Sequence, residues 1–255
     1  MSSDRESFLK RVRQAIAEGN RAGAIPPLPA RGSVGYQGDG GDPVGRFCTE
    51  LTAAGGMAHV VADGAAAREK VLALVRDRAI RRVLLGRGEV LDPLGLGAAL
   101  TAAGVEVVDV SALILETERE AFFGADLGVS GVDYLIAETG SLALLTRSDQ
   151  PRALSLLPPV HIAVAHCAQI LADLFDLFEA RRWAEQRGLP SCLSLITGPS
   201  KTGDIELRLV TGVHGPGEVH VVLIESAGLA GFDRAGASQL AIGASRLARA
   251  WMLSA

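Results

Sequence analysis

PVGRFCTELTAAGGMAHVVADGAAAREKVLALVRDRAIRRVLLGRGEVLDPLGLGAALTAAGVEVV, residues Pro43–Val108, is the stretch that decides the fold. Apolar residues recur at helical spacing near Val44–Ala54, Ala65–Arg76 and Leu94–Ala103, and gather into short runs at Met57–Val61, Val83–Leu85 and Val105–Val108. The two periods alternate, and the short runs carry no regular polar face. Strands of that kind are buried on both sides, so the pattern predicts α/β architecture with a parallel-rich sheet covered by helices. Gly86-Arg87-Gly88 follows the second strand and invites a dinucleotide reading. Leu91 stands where the third glycine belongs, and Asp109 is the nearest acid to the end of the next strand, so a strand-to-helix turn is the better expectation. Open α/β sheets take ligands at carboxyl strand ends, which leaves this loop available to line a cleft.

Outward from that stretch, Ser3–Glu18 reads as a helix, with Ser3 and Glu6 as a capping box and Phe8, Val12, Ala15 and Ile16 on one face. Gly19–Gly45 is rich in Gly and Pro and reads as a linker or long surface loop. The expected organisation is therefore an N-terminal helical arm and linker over 1–42 and an α/β domain over 43–255. Further on, the spacing predicts a short helix at Glu116–Phe123, a core-facing helix over Leu171–Glu185, and strands at Ser194–Thr197 and Val219–Ile224. In the tail Gly228–Ala255, Leu240, Ala244, Leu247 and Trp251 form a helical stripe suited to the body of the protein or to a second copy in a homo-oligomer.

A hydrophobic content of 48% excludes a disordered chain. The net charge of −4 comes from 25 basic and 29 acidic residues that are interspersed, so there is no electrostatic footprint for nucleic acid or an anionic membrane. No apolar run approaches the length of a membrane span, and the start, MSSDRESFLKRVRQ, mixes charges where a signal peptide needs an apolar core. A soluble, cytoplasmic protein is expected. Cys48, Cys167 and Cys192 form no Cys-x-x-Cys pair and are too few for an iron–sulfur cluster, so they read as small buried hydrophobes.

The chemistry concentrates in Gly131–Val164, GVDYLIAETGSLALLTRSDQPRALSLLPPVHIAV. Two apolar runs, Tyr134–Ala137 and Leu142–Leu145, flank Glu138-Thr139-Gly140-Ser141, and Ser155-Leu156-Leu157-Pro158-Pro159 leads into a third, Val160–Ala165, which carries His161. The segments AETGSL (Ala137–Leu142), SLLPPVHIAV (Ser155–Val164), ITGPSKTGDIE (Ile196–Glu206) and GVHGP (Gly212–Pro216) resemble the LUD-domain family, of the lactate-utilisation protein C type. That resemblance covers about the C-terminal half. It implies a fold similar to the sugar-phosphate isomerase and CoA-transferase group. It also implies a subunit of a system that oxidises L-lactate to pyruvate with iron–sulfur partner subunits, the clusters lying in those partners. The family commonly has arginine where Lys201 stands and alanine where Gly203 stands. This chain keeps the charge but loses the bidentate fork.

Read from the residues themselves, Glu138 beside apolar strands is a candidate acid, base or nucleophile, and Thr139, Gly140 and Ser141 are either binding groups or turn chemistry. Thr197, Gly198, Ser200, Lys201, Thr202 and Asp204 form a hydroxyl- and glycine-rich loop with one ammonium, suited to a small carboxylate or phosphate. It is neither a Walker A loop nor a nucleophile elbow, because Ser200 and Thr202 occupy positions where those motifs need glycine. His214 lies between glycines in a turn that can present it to a cleft, whereas His59, His166 and His220 sit in or beside apolar runs. No histidine pair has the spacing of a compact metal site, and no metal is expected. The expected cleft is lined by Glu138–Ser141, Ser155–His161, Thr197–Asp204 and His214, with Glu138 or His214 as base. A free-standing CoA-transferase-like or isomerase-like enzyme using Glu138, or a non-catalytic scaffold, are the alternative readings.

Overall fold

The computed structural model describes residues 2–19, 38–110, 119–147, 150–180, 191–202 and 210–225. Asp204, most of the 19–45 stretch and the tail from Gly228 lie outside the described residues, as do 116–118 and 181–185 at the ends of two expected helices. The chain divides into two compact units, Met1–Tyr36 and Gln37–Ala255. The first holds helix α1 (Ser2–Gly19), on which Phe8 and Ile16 are 59% and 56% exposed.

The second unit begins with α2 (Pro43–Ala53), β1 (Met57–Val61), α3 (Gly64–Asp77), β2 (Arg82–Leu85), α4 (Leu96–Ala102) and β3 (Glu106–Asp109), the alternation read from sequence. Asp42 caps α2 by accepting from the Gly45 amide, with Pro43 at the first helical position, and Asp63 caps α3 through Ala66. After α5 (Arg119–Phe123) come β4 (Leu127–Gly131), β5 (Tyr134–Ile136), β6 (Ser141–Leu145), α6 (Ala153–Leu156) and β7 (Val160–His166). The remainder is β8 (Ile170–Leu171), α7 (Leu174–Ala180), β9 (Leu193–Ile196), β10 (Lys201–Thr202), β11 (Val210–Thr211) and β12 (Glu218–Ile224).

Six strands form one sheet in the order β1-β12-β7-β4-β2-β3, and every neighbouring pair is parallel. β7 is buried at each of its seven positions, because both faces of the sheet are covered. On one face Ile162, Val164, Val222 and Val129 pack with Val71 and Val75 of α3 and Leu100 of α4. On the other, Ala163, Ala165, Val221 and Leu223 pack with Phe47 and Leu51 of α2 and with Leu135 and Leu142. Those last two leucines belong to a second sheet, β8-β5-β6-β9, built on the antiparallel β5–β6 hairpin. The sequence reading anticipates β5, β6 and β9 but neither the sheet's separateness nor β8: Leu171, expected in a helix, pairs in this sheet through Ile136, and the helix begins at Leu174. Nor does it anticipate β4, whose LGVSG carries two glycines: a Cβ on Gly128 would lie 1.9 Å from the Leu154 carbonyl oxygen, so only glycine lets α6 seat on the sheet.

Candidate functional site

The β5–β6 register pairs Ile136 with Ser141, which leaves Ala137–Gly140 as the turn. Its backbone is held by β8 and the residue after it, Ala137 donating to the Leu171 carbonyl at 2.8 Å and Glu138 to that of Ala172 at 3.1 Å. Gly140 has φ +64°, and a Cβ there would fall 2.2 Å from the Leu51 nitrogen, so the turn lies directly on the backbone of α2. From the turn a line of hydroxyls runs outward. Thr139 Oγ1 is 2.7 Å from Ser141 Oγ, which is 2.6 Å from Thr197 Oγ1 at the end of β9.

Thr197 opens a loop that rests on the carboxyl end of the same helix. Gly198, at φ +75°, comes so close to Ala54 that a Cβ would meet its carbonyl oxygen at 2.6 Å, and the Lys201 ammonium donates to that same oxygen. A cation there satisfies one of the helix's unpaired terminal carbonyls. The loop is also stitched to the segment carrying His214: Ser200 donates to Pro216 at 2.8 Å and Gly212 donates to Ser200 at 3.0 Å. Thr202 pairs with Val210 in the β10–β11 ribbon.

These contacts shape an open cleft of about 200 Å³. Its polar walls are Ser155, Thr197, Ser200 and His214, with Gly198 beside them, and its apolar walls include Val219 and the outward-facing Leu156 and Leu195, 41% and 45% exposed. Five of the residues singled out from sequence therefore meet around one opening, and Thr139 and Ser141 stand behind it through Thr197. Glu138, half-buried in its turn, is not on the cleft wall, and Gly140 is beneath α2. The cleft lies at the amino ends of β7 and β12. The Gly86-Arg87-Gly88 loop is at the other end of the sheet, where Arg87 meets Asp92 at 3.2 Å and Asp109 at 3.9 Å.

His161 is wholly buried, its Nε2 2.9 Å from Ser130 Oγ and its Nδ1 without a hydrogen-bond partner among the described residues. Burial, with a smaller contribution from His220, lowers its pKa to about 4. On the opposite face a second polar chain runs His59–His220–Glu218–Arg78. His59 Nε2 is 3.0 Å from His220 Nδ1, His220 Nε2 is 3.1 Å from Glu218 Oε2, and Arg78 Nε donates to that oxygen at 2.6 Å. The two rings stack with centroids 5.3 Å apart. Burial, then Lys70 and the neighbouring His220 and Arg78, lowers His59 to about 4; burial likewise lowers His220, against the pull of Glu218. Glu218 is lowered chiefly by the Arg78 hydrogen bond. Spacing alone does not reveal this chain, because parallel pairing of residues 161 positions apart makes it. Among the described residues no three His, Cys, Asp or Glu side chains converge as a metal ligand set, and no helix is long and apolar enough to cross a membrane.

A parallel α/β sheet with a hairpin-based second sheet folded over one face, and a hydroxyl-lined cleft at their junction, defines the class of protein. The chain belongs to the LUD-domain family, whose model matches residues 44–224. It is 33% identical over 156 residues to lactate utilization protein C of Halalkalibacterium halodurans, covering 60% of this chain and 66% of that protein. It is 31% identical over 223 residues to lactate utilization protein C of Deinococcus radiodurans, covering 85% and 93%. Several other curated relatives are matched over only about half to two thirds of their own length. A crystal structure of a DUF162 family protein from Deinococcus radiodurans superposes with a TM-score of 0.53 at 25% identity, covering 72% of this chain and 97% of that one.

Proposed function

We propose that this chain is a subunit of a lactate-utilisation system that holds L-lactate in the cleft while it is oxidised to pyruvate, in company with iron–sulfur partner subunits. The observation that carries the reading is the convergence of Ser155, Thr197, Ser200 and His214 on one opening, in a chain related to proteins named lactate utilization protein C. Oxidation of the hydroxy acid converts a C–O single bond to C=O and releases two electrons and two protons. His214, the imidazole on the cleft wall, takes the hydroxyl proton. The Cα–H bond breaks as the C=O bond forms; its electron pair would pass to the iron–sulfur partner subunits and its proton to solvent. Hydroxyls of Thr197 and Ser200 hold the carboxylate, and the Thr139–Ser141–Thr197 chain keeps the Thr197 hydroxyl aimed. Glu138 stands off the wall, and the base is assigned to His214 for that reason.

The test is reconstitution of the purified chain with its iron–sulfur partners and measurement of lactate-dependent dye reduction. His214→Ala is expected to lower kcat by about a hundredfold or more, and Thr197→Val to raise KM. Unchanged turnover in His214→Ala removes the assignment. An acyl adduct on Glu138 after incubation with acetyl-CoA, detected by mass spectrometry, supports the CoA-transferase alternative instead.

A further inference from the structure

The cleft lies at the amino ends of its strands, whereas open α/β sheets ordinarily take ligands at the carboxyl ends, where the strand order reverses. Here that reversal falls between β2 and β4: β3 continues outward from β2 on one side, while β4, β7 and β12 run away on the other. Two glycines meet at this point, Gly88 in the turn after β2 and Gly131 closing β4. The Gln150 amide lies in the space their side chains would fill, with Nε2 2.9 Å from a Cβ built on Gly131 and 3.4 Å from one on Gly88. That amide makes no side-chain hydrogen bond among the described residues.

Beside Gln150 is a narrow crevice whose polar walls are Ser130, Thr146, Arg152 and Ser194. It holds about 10 Å³, room for one water-sized group, so one oxygen of a ligand's head enters it and the rest of the head stays at its mouth, beside Arg152. Three features define that head. Among the described residues no acid lines the crevice, and Arg152, exposed, has no ion-pair partner. The remaining polar walls are three hydroxyls and an amide, all able to donate. The buried Thr146 hydroxyl has no partner among the described residues, a cost that an acceptor in the crevice removes.

We infer that the crevice at the β2/β4 reversal is an oxyanion site, receiving one oxygen of a carboxylate or phosphoryl group whose remainder stays at the mouth, with Arg152 supplying the charge and Thr146, Ser194 and Gln150 the hydrogen bonds. It is distinct from the cleft. Ser194 and Leu195 are adjacent in β9 and point to opposite faces, the first into the crevice and the second into the cleft, and α6 separates them in the same way through Leu154 and Ser155. Among the described residues the cleft wall carries no Lys or Arg, so the cleft offers an anion hydroxyls where the crevice offers a guanidinium.

The full chain is titrated calorimetrically with inorganic phosphate and, separately, with acetate, at constant ionic strength in chloride. At least one is expected to bind, with affinity falling about tenfold in Arg152→Gln and in Thr146→Val, partial recovery in Arg152→Lys, and no change in His214→Ala. Phosphate alone binding identifies a phosphoryl head, and acetate alone a carboxylate. Equal affinity in wild type and Arg152→Gln overturns the site, as does silence of the wild type toward both anions. Because Arg152 is exposed, its variants fold, and thermal unfolding without ligand checks this.

Discussion

At the residue scale, the histidines divide by burial more than by their neighbours in sequence. His161 and His214 both lie in family-like blocks, yet the fold closes β4 and β12 around the first and leaves the second exposed on the cleft. His59, His161 and His220 all have folded pKa values below the ordinary 6.5, about 4 for the first two. The unfolded chain therefore takes up protons near 6.5 that the folded chain refuses until about 4. Stability is complete above the unfolded value and is lost as pH falls through that window. Glu218, lowered by Arg78, acts in the same direction at its own lower range. Urea midpoints at about pH 7.5 and about pH 5 are expected to show this fall. His161→Gln, which can still hydrogen-bond Ser130 but does not titrate, is expected to lessen it. An identical fall in the variant would remove His161 as a contributor.

Among elements, α2 organises the site without entering it. Its backbone receives the Gly140 turn, and its carboxyl end receives Gly198 and Lys201. Gly140→Ala is expected to cost well over the ~1 kcal/mol of left-handed strain, because the added Cβ cannot clear the Leu51 nitrogen 2.2 Å away. Chemical denaturation measures the loss, and a cost under ~1 kcal/mol contradicts the packing described. Lys201 reads from sequence as the ammonium of an anion loop; in the fold it meets the Ala54 carbonyl. Lys201→Met is expected to cost about 1 kcal/mol, the value of a cation at a helix carboxyl end, while phosphate affinity stays that of the wild type. No sequence spacing contains that contact, since the partners are 147 residues apart.

Across the whole molecule, the cleft exists because two sheets share one apolar layer. Leu142 of the hairpin is fully buried against Leu51 of α2 and the β7 and β12 side chains of the large sheet. Leu142→Ala is expected to lower unfolding free energy by about 2–5 kcal/mol, the usual range for a buried leucine, and to loosen ligand binding in the cleft as the layer slackens. A stability loss with unchanged cleft affinity would show that the layer and the site are independent.

Periodicity alone determined the helices and strands from Pro43 to Asp109, the buried character of β7 and β12, and the hydroxyl-rich blocks, because those depend on contacts between neighbours in the chain. Their grouping into a site was beyond it. Ser155, Thr197 and His214 meet only after parallel pairing sets β7 beside β12 and the second sheet closes over them. Tertiary structure also turned Lys201 to a helix end, sealed His161 in the core and brought Ser130, Gln150, Arg152 and Ser194 to one crevice. The physical reason is the same throughout. Local propensity acts over a few residues, whereas burial and charge environment are set by whichever distant strand the sheet order places alongside.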